Sequence, residues 1–256
     1  MIYVKGTQLN SIEEIPGAGQ FSEAQRGTAL KLLNSRESFF YDNPRQLQFE
    51  ITYRANIVSS AYALKDSGAR FATFTTAKAN RNFWILTAYG GFLIRPDVTP
   101  ADAITDIFVQ GRKYGFECTT AMMIILYKAM LETIGPSTFN QLFRGLLLWS
   151  TEHDEDLQLT AVHQGDSLPG DIRYIQNPEF HPATPQWQGE NLVDLGNGLF
   201  FGHGIGAGML GEFINVLNER RRPGATTSAF LTRQIIRPNF RRMAEYTGHP
   251  LRRLLV

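Results

Sequence analysis

The chain has 256 residues, with 25 basic and 24 acidic side chains and a formal net charge of +1. Hydrophobic residues make up 43% and charged residues 19%, the balance of an ordinary globular protein, which excludes a disordered or collagen-like chain. The near-neutral charge argues against a dedicated nucleic-acid binder. A single cysteine, Cys118, leaves no internal disulfide and no cysteine-based zinc cluster to build.

No Pro, Gly or Ser stretch is long enough for a linker and no repeat of 20–50 residues is visible, so residues 1–256 read as one domain. The start lacks a charged lead and an apolar stretch, and the longest wholly apolar run covers only residues 121–127. Neither a signal peptide nor a membrane span is expected.

In chain order, residues 20–33 are helix-compatible, and a second helix is expected over residues 44–66, closed by Ser67-Gly68. Residues 70–74 and 83–87 are aromatic and β-branched enough for strands, and Gly90-Gly91 turns into a further short strand at 92–95. Thr99 followed by Pro100 marks an N-cap and first-turn proline, predicting a short helix over 100–111. Residues 117–134 are apolar nearly all round and end at Gly135-Pro136, which predicts a central helix buried from several sides. A further helix is expected near 138–146. Beyond it come short strands at 158–162, 171–175, 191–194 and 199–201, each bounded by Gly, Asn, Asp or Pro. The expected fold class is α+β, with the central buried helix packed on an antiparallel sheet.

Residues 219–256 hold nine arginines, no lysine and two acidic residues, a local charge of +7. They read as a solvated helical face in preference to a basic segment that docks on an acidic partner. Glu152, Asp154, Glu155 and Asp156 form an acidic turn, either an intramolecular counterpart to those arginines or a simple loop.

Cys118 opens the central helix, where the macrodipole and first-turn N–H groups favour a thiolate and could hold an oxyanion. A lone cysteine beside an apolar helix also reads as packing, and the adjacent carboxylate of Glu117 raises the thiol pKa. A nucleophile needs a base. His203, between glycines in Gly202-His-Gly-Ile-Gly206, and Glu190, in Trp187-Gln-Gly-Glu-Asn191, are the two candidates. His153, His163, His181 and His249 sit in polar or turn contexts. No metal is implied: the acidic turn lacks the Gly and Glu of a calcium loop, and the glycine-rich run at 202–208 fits no dinucleotide or phosphate fingerprint.

Phe116-Glu-Cys-Thr-Thr-Ala121 together with Trp187-Gln-Gly-Glu-Asn191 resembles the spore-coat protein-glutamine gamma-glutamyltransferases of Bacillus-type bacteria. Further agreement lies in Arg54-Ala-Asn-Ile-Val58, Ser67-Gly-Ala-Arg-Phe-Ala-Thr-Phe74, Asn177-Pro-Glu-Phe180 and His203-Gly-Ile-Gly206, spanning about residues 45–240. The resemblance implies a compact papain-like or NlpC/P60-like cysteine-enzyme core. It implies a calcium-independent transglutaminase without cofactor that cross-links glutamine and lysine side chains of spore coat proteins through a thioester, in the coat or mother cell of a spore former. It assigns Cys118 as nucleophile, Glu190 as its partner and Glu117 as a secondary carboxylate. Phe71, Trp149 and Trp187 match positions lining a substrate tunnel, Asn191 belongs with the substrate-binding residues, and the role of His203 stays open. The family pattern has a basic residue where Gln188 stands and a smaller one at Thr119. The competing readings are an NlpC/P60-type cysteine amidase or peptidase with His203 as base, and a noncatalytic coat protein.

Overall fold

The two long helices expected from sequence form and pack on each other, and they fix the rest of the molecule. The computed structural model describes residues 1–247. Its first part contains β1 (Ile2–Val4), β2 (Thr7–Leu9), α1 (Glu23–Asn34), β3 (Phe39–Tyr41) and α2 (Pro44–Asp66). Next come β4 (Arg70–Phe71), β5 (Trp84–Leu86), β6 (Phe92–Ile94), α3 (Pro100–Val109), β7 (Gly115–Phe116), α4 (Cys118–Leu142) and β8 (Leu147–Leu148). Then follow β9 (Leu159–Val162), β10 (Ile172–Gln176), β11 (Gly189–Gly196), β12 (Leu199–Gly202) and β13 (Gly206–Met209). Last are α5 (Leu210–Asn218), β14 (Phe230–Pro238) and α6 (Phe240–Met243).

Helix starts follow local chemistry. Asn43 caps α2 ahead of Pro44, and Thr99 caps α3 ahead of Pro100, each accepting a first-turn N–H. Gly135, at φ 78, breaks α4 where the sequence predicts a stop, and the chain then resumes a helical turn to Leu142. The expected helix at 138–146 is therefore the far limb of α4. Residues 70–74 yield only the two-residue β4, because Phe74–Thr76 closes into a 3-10 turn.

The main sheet runs in the order β13-β12-β11-β10-β14-β9 with every neighbour antiparallel. Thus the molecule is α+β, as expected. The buried helix α4 packs chiefly on α2 and α3 and reaches the sheet through β11. Its apolar residues Ala121 to Met130, Lys128 aside, fill the main core beside Tyr53, Trp84 and Phe201. Among the described residues, α4 alone is long and apolar enough to cross a membrane, and it is the core helix, largely buried.

Among the described residues the arginine-rich end is not one helical face: Arg241 and Arg242 lie on the short α6, but Arg233 and Arg237 lie on a strand. Phe230–Pro238 is a strand seated between β10 and β9, and Arg237, nine-tenths buried, pairs with Asp171 at 2.7 Å. Asp171 also receives the fully buried Arg54 at 2.8 Å, which in turn holds Glu50 at 2.8 Å. This network ties α2 to β10 and β14; losing one member would strand an unpaired buried charge. The salt-bridge partners of the described arginines are elsewhere than in the acidic turn: Glu179 for Arg222, Asp42 for Arg241 and Glu37 for Arg237. His249, Arg252 and Arg253 lie outside the described residues.

Candidate active site

Cys118 is the first residue of α4, and Glu117 is its N-cap. The Glu117 carboxylate accepts the N–H of Thr119 at 2.9 Å and of Thr120 at 2.7 Å, and the Thr120 hydroxyl at 3.0 Å. An anionic cap at the positive end of a helix explains why a carboxylate is held here. It also occupies two of the first-turn N–H groups, a set that the sequence reading offered to an oxyanion. The donors that remain at this end are the N–H of Cys118 itself and, from β11, the side chain and the main-chain N–H of Asn191.

Asn191, on β11, donates from Nδ2 to the Cys118 sulfur at 3.5 Å and to the Thr119 hydroxyl at 3.3 Å. The thiol lies 3.6 Å from Glu117 Oε2. Burial pushes the Cys118 thiol up to about 12, and the charges of Glu190 and then Glu117 push the same way, while Asn191 pulls it back. The thiolate-favouring effect of the helix end is outweighed by burial and two carboxylates.

Glu190 lies on β11, paired across the ladder with Ile175 of β10. It is 3% exposed, and its Oε1 is buried without a hydrogen-bond partner. Burial first, and the Glu117 charge second, hold its carboxyl well above the usual range. Gly202 makes the space: a Cβ there would stand 2.9 Å from Oε1. Tyr174 of β10 feels both groups, its hydroxyl raised by burial and then by Cys118 and Glu190. Gly189 lets that ring lie over β11, since a Cβ there would meet Tyr174 Oη at 2.1 Å.

The thiol opens into a cavity of about 350 Å³ whose walls include Phe71, Phe74, Glu117, Tyr174, Gln188 and Asn191. Of the residues singled out from sequence, Cys118, Glu117, Phe71 and Asn191 meet in this cavity, and Glu190 sits behind its wall. Trp149 lies one layer out, against Phe74 at 6.1 Å and Tyr89 at 4.8 Å between ring centroids. Trp187 turns toward the cluster of Ile175, Leu192 and Phe213, under the Arg220 guanidinium at 5.2 Å. His203 stacks on Phe116 at 4.6 Å, nearly parallel, with Nε2 buried and unpartnered. Burial lowers its pKa to about 4, so it is a neutral imidazole at physiological pH. Gly204, at φ +101, brings the turn onto Phe71, where a Cβ would clash at 2.9 Å. Sequence reading missed Phe74 and Tyr174 as cavity walls; the glycines at 90 and 189 were the available signal, since the first presses on the main chain of Phe74 and the second lies under the Tyr174 ring. A second cavity, about 390 Å³, lies where α1 and α2 meet Gly196-Asn197, and no cysteine or histidine lines it.

A buried thiol at a helix start, hydrogen-bonded from a sheet and in the field of an unpartnered carboxyl, is the equipment of a cysteine enzyme acting on acyl groups. The comparisons narrow that class. The profile of the family described as protein-glutamine gamma-glutamyltransferase matches residues 1–247, thus including the first forty residues, which lie outside the span of the motif resemblance. A protein-glutamine gamma-glutamyltransferase of Bacillus mycoides is 45% identical over 224 residues, 87% of this chain and 81% of the relative. One from Bacillus cereus is 45% identical over 226 residues, 88% and 82% of the two chains. The solved structure titled transglutaminase from Geobacillus stearothermophilus (without C-terminal extension) superposes with a TM-score of 0.78. It is 46% identical and covers 81% of this chain and 100% of its own. The chain belongs to the protein-glutamine gamma-glutamyltransferase family, and is thereby an acyltransferase.

Proposed function

We propose that the chain joins glutamine and lysine side chains of proteins by an isopeptide bond through a thioester on Cys118, around a papain-like, NlpC/P60-type core. The observation that carries this is the Cys118 thiol, buried in a cavity, receiving the Asn191 amide and electrostatically linked to the unpartnered Glu190 carboxyl. As the γ-carboxamide enters, the thiol proton passes to Glu190, and sulfur attacks the amide carbon. The N–H groups of Cys118 and Asn191 face the oxyanion. Ammonia leaves with the proton returned by Glu190, and the thioester remains. The lysine ammonium loses one proton to solvent before attack. Its amine then attacks the thioester, gives its second proton to Glu190, and the thiol is restored when sulfur leaves and that proton returns.

A carboxyl with a raised pKa suits this shuttle, because the raised value brings it closer to the thiol and the amine with which it exchanges protons. Glu117 stands second, its oxygens committed to the helix cap. The aromatic walls Phe71, Phe74 and Tyr174 exclude the water that would hydrolyse the thioester, with Trp149 bracing Phe74. The substrates proposed, from the motif resemblance, are spore coat proteins, in the coat or mother cell of a spore former.

The test is incorporation of a fluorescent primary amine into a glutamine-bearing protein in the presence of a calcium chelator. The wild type is expected to label it and Cys118→Ala to label nothing; equal labelling by both would overturn the assignment.

A further inference from the structure

The chemistry at Cys118 leaves one surface without a use. β5, β6 and β8 form a three-stranded antiparallel sheet, with Ile85 opposite Leu93 and Leu93 opposite Leu147. One face of it, carrying Trp84, Phe92, Ile94 and Leu148, is buried in the main core. Alternation along a strand puts Ile85, Leu93 and Leu147 on the other face, where Ile85 is 44% and Leu93 37% exposed. A sheet with one face on the core ordinarily carries polar residues outside. Here residues 84–94 contain no charged side chain, and the turn adds Tyr89, half exposed.

This face is joined to the cavity through Phe74. Gly90, at φ +85, presses on the chain at Phe74, so that a Cβ would stand 2.2 Å from the Phe74 carbonyl oxygen. Phe74 is both a cavity wall and partly solvent-exposed. Tyr89, Trp149 and Phe74 contact one another in sequence, making an aromatic line from the exposed sheet to the Cys118 cavity.

We propose that this face is a docking apron for the protein substrate. It takes an uncharged, apolar stretch of the polypeptide whose reacting side chain enters the cavity. The inference rests on the transglutaminase reading above and deepens it. The occupant follows from continuity: a polypeptide advances about 3.3 Å per residue when extended, so residues flanking one inserted side chain must cross the cavity rim, and the line of Phe74, Trp149 and Tyr89 leads from that rim to the apolar sheet. An apolar surface of this kind marks an interaction site when it is contiguous.

The test uses Ile85→Thr/Leu93→Thr and the single Leu93→Thr, since threonine keeps strand preference while removing apolar surface. Two substrate pairs are compared: a blocked glutamine dipeptide with a fluorescent amine, and casein with the same amine. The expected result is a rise of about tenfold in KM for casein in the double variant, an intermediate rise in the single, unchanged kcat, and no change with the dipeptide. Equal loss on both pairs, or no loss on either, overturns the apron. Wild type that sediments as a dimer while the double variant is a monomer also overturns it, by assigning the face to a second copy. Should the wild type fail on the dipeptide, the transglutaminase reading is what falls. Anisotropy of labelled casein on Cys118→Ala, with and without the two threonines, still decides the apron: weaker binding with threonine supports it and equal binding refutes it.

Discussion

Replacing Glu190 by glutamine removes one charge from the surroundings of Cys118 while keeping the side chain's size. The thiol is raised to about 12 by burial first and by Glu190 second, so the substitution should lower it. At pH 9 a thiol titrating near 12 is ionised in about one molecule in a thousand. Glu190 adjoins Asn191, whose amide reaches the sulfur at 3.5 Å, and at an effective dielectric of about 20 a unit charge within about 12 Å contributes at least about 1.4 kcal/mol. The alkylation midpoint should therefore fall by about one pH unit or more in Glu190→Gln, making iodoacetamide labelling at pH 9 about tenfold faster. Amine transfer should move the opposite way and drop at least about a hundredfold, because glutamine cannot accept a proton. Alkylation followed by intact mass from pH 7 to 11, beside the amine-incorporation rate, reads both. An alkylation midpoint unmoved or raised would refute the claim that the Glu190 charge reaches the thiol.

The buried His203, lowered to about 4, prefers the neutral form when folded, so its contribution is complete above the free histidine value near 6.5 and lost as pH falls through 4. By linkage the wild type should lose about 3 kcal/mol over that window, and His203→Gln should lose markedly less in urea unfolding at pH 7 and pH 4. Gly90→Ala, which would drive a Cβ onto the Phe74 carbonyl at a positive φ, should cost at least about 2 kcal/mol and depress transfer by displacing a cavity wall. Gly6→Ala, with the same sign of φ but open space, is the control and should cost about 1 kcal/mol with unchanged activity.

Helices were readable where caps and breakers were local. Asn43-Pro44, Thr99-Pro100 and Gly135-Pro136 each mark a boundary within a few residues, which is why α2, α3 and the break in α4 were predictable. β14 was not, because its arginines resemble a solvated face in sequence; only the fold reveals that Arg237 meets Asp171, 66 residues away in the chain. The short β1, β2 and β3 carry too few residues for a period to show. At the site, the cysteine and its flanking glutamate stand out by type and position, Glu190 was one of two base candidates beside His203, and the resemblance favoured Glu190 and brought in Asn191. That Glu117 spends its oxygens capping α4 could not be read, since the same residue suits a catalytic carboxylate. Nor could the orientation of Trp187, which depends on the packing of α5 and Arg220.

The most direct measurement is the intact mass of the protein after mixing with a glutamine peptide in the absence of an amine acceptor, quenched in acid. The account predicts an adduct equal to the peptide less ammonia, located on Cys118 by fragmentation, discharged by added lysine, and absent in Cys118→Ala. An adduct that persists in Cys118→Ala, or a peptide cleaved at its backbone to give a new amino terminus, would contradict it.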